Sequence, residues 1–120
     1  MMKELLLEYG VDYDKGLKSC MGDLSFYQSI LSAFLQDECF AKARKAYSNK
    51  AYHELFDCMH ELKGVSGNIA LTDLYQITVS LVELLRNDIG EESEIGRLFQ
   101  AADEAYKRAC EGIYMVVSER

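Results

Sequence analysis

Apolar residues recur at intervals of three and four along almost the whole chain, and strict alternation is nowhere sustained. That spacing predicts helix throughout, because a buried helical face repeats about every 3.6 residues. A short segment over 2–9 precedes "VDYDKGLKSCMGD", which reads as a short helix with Asp12 as its cap and Gly22 as its stop. Asp23 stands where a cap would open the next helix, whose stripe is Tyr27, Ile30, Leu31, Phe34 and Leu35. Helix continues past a bend near Asp37 through Phe40, Ala43 and Tyr47, and 48–50 is a turn. The next helix runs from Ala51 to Ile69. Thr72 or Asp73 opens another, with Leu74, Ile77, Leu81, Leu84 and Leu85 inward. A turn over 87–93 leads to a last amphipathic helix marked by Ile95, Leu98, Phe99, Ala102, Tyr106, Ala109, Ile113 and Val117. Four long helices joined by short turns predict an all-α fold, an antiparallel up-down four-helix bundle. The expected organisation is one domain over 1–120, with short N-terminal helices in 1–22 and the bundle in 23–120.

Composition narrows the picture. The 120 residues contain no proline, which removes the strongest helix breaker. A net charge of −7 argues against nucleic acid as a partner, since phosphate backbones require a basic surface. No apolar run approaches membrane-spanning length, and "MMKELLLEYG" is too short and acidic for a signal peptide. Cys20, Cys39, Cys58 and Cys110 form no C-x-x-C pair and fall in apolar helical stretches, as reduced core thiols of a cytoplasmic protein would.

The helix over 51–69 departs from the ordinary pattern. On a wheel of about 100° per residue, Leu55, Met59, Leu62, Val65, Ser66 and Ile69 form the core stripe. His60 falls roughly 160° from the centre of that stripe, with His53, Phe56, Asp57, Lys63, Gly64 and Gly67 around it. A solvated face is normally filled with good helix formers, and each interior glycine costs about 1 kcal/mol against alanine. Glycines here leave the imidazole standing clear, so that another protein or a phosphoryl group can approach. An exposed neutral imidazole is a nucleophile, and Lys63 at i+3 can set an ammonium against a phosphoryl oxygen. No general base, oxyanion hole or nucleotide cradle accompanies them in the sequence. The arrangement suits holding a group and handing it on.

With "HELKGVSGNIA" supplying His60, Leu62, Lys63, Gly64, Ser66, Asn68 and Ile69, the chain resembles the histidine-containing phosphotransfer (HPt) family of two-component phosphorelays. The entry segment "VDYDKGLKSCMGDLSFYQSILSAFLQD" is similar to that family's too. The resemblance implies that His60 is the phosphoacceptor, through Nε2, taking the group from a receiver-domain aspartate and passing it to a response-regulator aspartate. It implies that Lys63 steadies the phosphoryl group and that receivers gain access and dock around Gly64, Gly67, Phe56 and Asp57. Partners would be receiver domains of hybrid histidine kinases and of response regulators. No cofactor is expected, the Mg²⁺ belonging to the receiver, and no ATP-dependent kinase activity of its own. A free monomeric phosphocarrier is the expected form. Ser66 and Asn68 are expected to turn away from His60 as packing residues. Two positions depart from the family pattern: its final glycine is Ala70 here, and the polar residue that supports the histidine from the following helix falls at Val82, beside Glu83.

Rival readings attach to the same face. His53, Asp57 and His60 share it at i, i+4 and i+7, as metal ligands could, although di-iron bundles point such pairs inward. A helical adaptor could bind a receiver or other signalling partner there without phosphoryl chemistry. A chemotaxis-kinase phosphoacceptor domain shares the bundle and an H-x-x-K-G core, but the leucine and serine spacing favours the relay module.

Overall fold

The computed structural model describes residues 2–86 and 91–118. Seven helices account for its regular structure: α1 (Met2–Glu8), α2 (Tyr13–Ser19), α3 (Leu24–Leu35), α4 (Cys39–Ser48), α5 (Tyr52–Asn68), α6 (Thr72–Arg86) and α7 (Glu92–Ser118). No strand occurs among the described residues. The aspartates act where short acceptors are favoured. Asp12 accepts from the Lys15 amide at 3.2 Å and Asp23 from the Phe26 amide at 3.0 Å, opening α2 and α3. The bend expected near Asp37 is a full break, where the Asp37 carboxylate takes the amide of Cys39 at 2.6 Å and starts α4. Most of the turn expected over 87–93 lies outside the described residues.

Helices α4 to α7 pack as an antiparallel bundle, and α3 continues the α4 arm along α7. The 27 residues of α7 span about 40 Å at 1.5 Å each, matching the 42 Å long axis of the molecule. Its buried stripe has large residues at both ends (Ile95 and Phe99, then Ile113 and Val116) and small ones between them (Ala102, Ala105, Ala109 and Gly112). Aromatic stacking closes α4 onto α7: Phe40 lies 4.3 Å from Tyr106 and 5.6 Å from Phe99, and Tyr47 lies 4.5 Å from Phe99. Arg44 covers the Phe40 ring at 4.9 Å while donating to Asp103 at 2.7 Å, an aliphatic stem over apolar surface with its charge paired.

The N-terminal helices matter because of where they hold α2. A Cβ at Gly16 would overlap the Tyr27 ring, so glycine lets α2 lie directly on α3. The buried Tyr27 hydroxyl then donates to the Ile69 carbonyl at 2.9 Å, and the Asp12 amide donates to the Ala70 carbonyl at 2.9 Å. Ser19 Oγ shares its proton between Gly16 O at 2.9 Å and Asn68 O at 3.1 Å. These contacts satisfy carbonyls that the end of α5 leaves open and fix α2 against it.

Candidate functional site

The core stripe of α5 is Leu55, Met59, Leu62 and Ser66, all buried, followed by Ile69. His60 lies on the opposite face and is exposed. Its ring stacks on Phe56 with centroids 5.9 Å apart and planes at 29°. Phe56 is half-buried against the core, and the Arg86 guanidinium of α6 sits 5.9 Å from its ring. The aromatic thus packs towards the neighbouring helix while its ring lies beside the imidazole. Lys63 is half-buried and makes no ion pair among the described residues. A Cβ built at Gly64 would meet nothing within 4 Å. Asp57 is exposed on the same helix. From His60 a cleft of about 440 Å³ runs past Lys63 and Gly64 towards the C-terminus of α5, where Thr72 and Tyr75 of α6 and Lys15 of α2 border it.

Several positions differ from expectation. Gly67, grouped with Gly64 as bare docking surface, lines the same cleft but also serves packing: a Cβ there would stand 3.0 Å from the Tyr75 ring, so this glycine admits α6 as well. Ser66 is buried as expected, its hydroxyl donating to Lys63 O at 3.3 Å. Asn68, expected to turn away, is exposed and lines the cleft with His60. Eight residues bring it within about 80° of His60 on the wheel, so the periodicity already held this answer. Val82 is fully buried, and Thr78 joins it inside the bundle. A polar group at 82 would point into apolar packing, and no side chain of α6 hydrogen-bonds His60 among the described residues. Glu83 pairs with Arg86 at 3.2 Å.

Ala70 explains the family's glycine. Its φ is +63°, in the left-handed region where a Cβ crowds the backbone, and it is buried with Leu71 behind it. The turn between α5 and α6 keeps that conformation without glycine, with the Leu71 amide donating to Ser66 O at 2.9 Å. Lys15, Thr72 and Tyr75 were not predicted to border the site. The tight Gly16–Tyr27 contact, with the hydrogen bonds from Asp12 and Ser19 to the end of α5, brings α2 there, and sequence spacing does not reveal it.

No group of three or more His, Cys, Asp or Glu side chains that could hold a metal occurs among the described residues, which removes the support for the His53–Asp57–His60 reading. All four cysteines are free; Cys20 and Cys39 are buried, Cys58 and Cys110 half-buried. Burial first, and Glu61 beside it second, push the Cys39 thiol up to about 12, so it stays protonated. No helix among the described residues is long and apolar enough to cross a membrane.

A helical bundle that holds the His60 imidazole in solvent, beside an ammonium with no ion pair among the described residues and an open backbone position, has the form of a surface-histidine carrier module. The Hpt domain family model matches residues 29–112, from within α3 to within α7, and the chain belongs to that family. Histidine phosphotransfer is the family's general role, and its members are phosphocarriers rather than kinases. No match was found among curated proteins or among solved structures.

Proposed function

We propose that this chain is a phosphorelay intermediate whose His60 accepts a phosphoryl group from a receiver-domain aspartate and delivers it to a response-regulator aspartate. The observation that carries the reading is the exposed His60 ring with Lys63 beside it and open space at Gly64. In the accepting step the Nε2 lone pair attacks phosphorus. The N–P bond forms as the P–O bond to the aspartyl oxygen breaks, and the electron pair leaves on the carboxylate. Lys63 supplies positive charge to the phosphoryl oxygens as the group changes hands. Delivery reverses these bonds against a second aspartate. Mg²⁺ is supplied by the receiver, so this chain needs neither metal nor nucleotide. It works in the cytoplasm as a monomer, where receivers can alternate on one face.

The test is transfer from a receiver radiolabelled on its aspartate, followed by acid treatment. Acid-labile label on the wild-type chain and none on His60→Gln is the expected result. Acid-stable label, or undiminished labelling of His60→Gln, refutes the assignment. Receiver binding with no label on the wild type would instead favour a docking adaptor.

A further inference from the structure

The cleft beside His60 differs in charge from the three other clefts formed by described residues. The chain carries 20 acidic and 13 basic residues, and three other clefts formed by described residues all carry carboxylates. One has Asp37, Glu38 and Glu61, another Asp73 and Glu104, the third Glu111. The His60 cleft has none among its described lining residues; its charged side chains are Lys15 and Lys63. Neither ammonium makes a hydrogen bond or ion pair among the described residues; Lys18, Lys42, Lys45 and Arg97 share that state, but of these only Lys42 borders one of the clefts described, and there it stands among Asp37, Glu38 and Glu61. Asp12 lies one turn from Lys15, but its carboxylate is engaged in capping α2.

Lys15 is also held in place. It sits next to Gly16, whose contact with Tyr27 seats α2 on α3, while the Asp12 amide and the Ser19 hydroxyl tie α2 to the carbonyls of Ala70 and Asn68. The two lysines therefore stand on different, mutually fixed elements, with the glycine-bared backbone of α5 between them. Lys63 follows His60 by three residues on α5; Lys15 borders the same cleft from α2, together with Asn68, Ala70 and Thr72.

We propose that this cleft is an anion-selective docking groove that seats an acidic segment of the partner receiver, with Lys15 as a specificity-determining contact distinct from the phosphoryl chemistry at His60. This extends the reading of His60 as phosphoacceptor and rests on it. A protein of net charge −7 repels acidic partners in general, and a local cationic groove next to the nucleophile selects both partner and orientation. Charge complementarity of this kind acts mainly on association rate and fades with salt.

The experiment compares wild type, Lys15→Arg, Lys15→Gln and Lys15→Glu in two reactions. The first is transfer from receiver domains of the same cell, phosphorylated with acetyl phosphate, at low and high salt. The second is labelling by phosphoramidate, a small donor whose P–N bond breaks as His60 takes phosphorus and ammonia leaves. Lys15→Glu should slow low-salt transfer about tenfold and Lys15→Gln by less. Lys15→Arg should match wild type, all four should converge at high salt, and phosphoramidate labelling should stay the same throughout. Because the Lys15 side chain is exposed and unbonded, the fold is expected to tolerate each change. Equal low-salt transfer by all four overturns the groove and leaves His60 standing as acceptor. A parallel loss of phosphoramidate labelling in Lys15→Glu overturns it differently, by placing Lys15 in the chemistry. Wild type labelled by phosphoramidate but by no receiver removes the relay reading together with this extension.

Discussion

Two glycines on one helix should respond differently to the same substitution, one with a gain in stability and the other with none or a loss. At Gly64 a Cβ meets nothing within 4 Å, so Gly64→Ala gains helix propensity without a steric penalty. The expected stabilisation is about 1 kcal/mol, which raises the urea midpoint by about 0.7 M for a slope of about 1.5 kcal/mol/M. At Gly67 a Cβ would stand 3.0 and 3.1 Å from two carbons of the Tyr75 ring. The ring must shift against the α5–α6 contact, and overpacking of that kind costs about 1–3 kcal/mol. The propensity gain is smaller there because Gly67 is the penultimate residue of α5. Gly67→Ala should therefore come out neutral to destabilising by about 2 kcal/mol. Urea unfolding of both variants, followed by circular dichroism, reads the difference directly. Equal stabilisation by the two substitutions would refute the distinction between access and packing. The functional half uses Gly64→Gln, which should keep or raise stability yet slow receiver-to-His60 transfer by about tenfold or more, because the obstruction lies on the approach to the imidazole. Unchanged transfer would mean that the bare backbone at 64 serves something other than access.

Other outcomes follow from the turn and the core. Ala70→Gly relieves a left-handed alanine worth about 1–2 kcal/mol but loses a buried methyl of about 0.8 kcal/mol and frees the unfolded chain by a further 0.4–1 kcal/mol or so. It should land within about 0.8 kcal/mol of wild type, whereas Ala70→Val should destabilise clearly in the same urea assay; a tolerated valine would contradict the φ of +63°. Burial raises the folded-state pKa of Cys39 and of Tyr106, each to about 12, and raises that of Tyr27 as well. These groups favour folding while protonated, so their contribution is fully present below the unfolded thiol range near 9 and is lost as pH rises through the folded values. Stability measured against pH should fall on the alkaline side, and a flat profile from pH 9 to 12 would refute that burial.

Much of this architecture was legible because periodicity and caps act locally. Asp12 and Asp23 cap where a short acceptor precedes an apolar run, and the stripe of α7 reads off directly. The outward position of His60 also followed from the wheel, since a helix fixes the angle between any two of its residues. What escaped were relations between elements. Gly64 and Gly67 look alike in sequence, three residues apart, and only the Tyr75 ring of α6 separates them. Val82 reads as a missing polar partner until its burial shows that the side chain points inward.

Among the described residues no side chain of α6 hydrogen-bonds His60, and this changes how the imidazole must be held. A polar residue opposite the imidazole would fix its orientation by hydrogen bond; here the neighbouring contact is the Phe56 ring, itself set between the core and Arg86. Stacking limits the ring's freedom but leaves both nitrogens without a protein hydrogen bond among the described residues. Orientation at the moment of transfer must then come from what binds: Lys63 on the phosphoryl oxygens and the partner seated on α5. Rigid seating of α2 against the end of that helix, through Tyr27, Ser19 and Asp12, makes sense in this light. A loosely held nucleophile depends more heavily on a firmly built surface for its partner to align against.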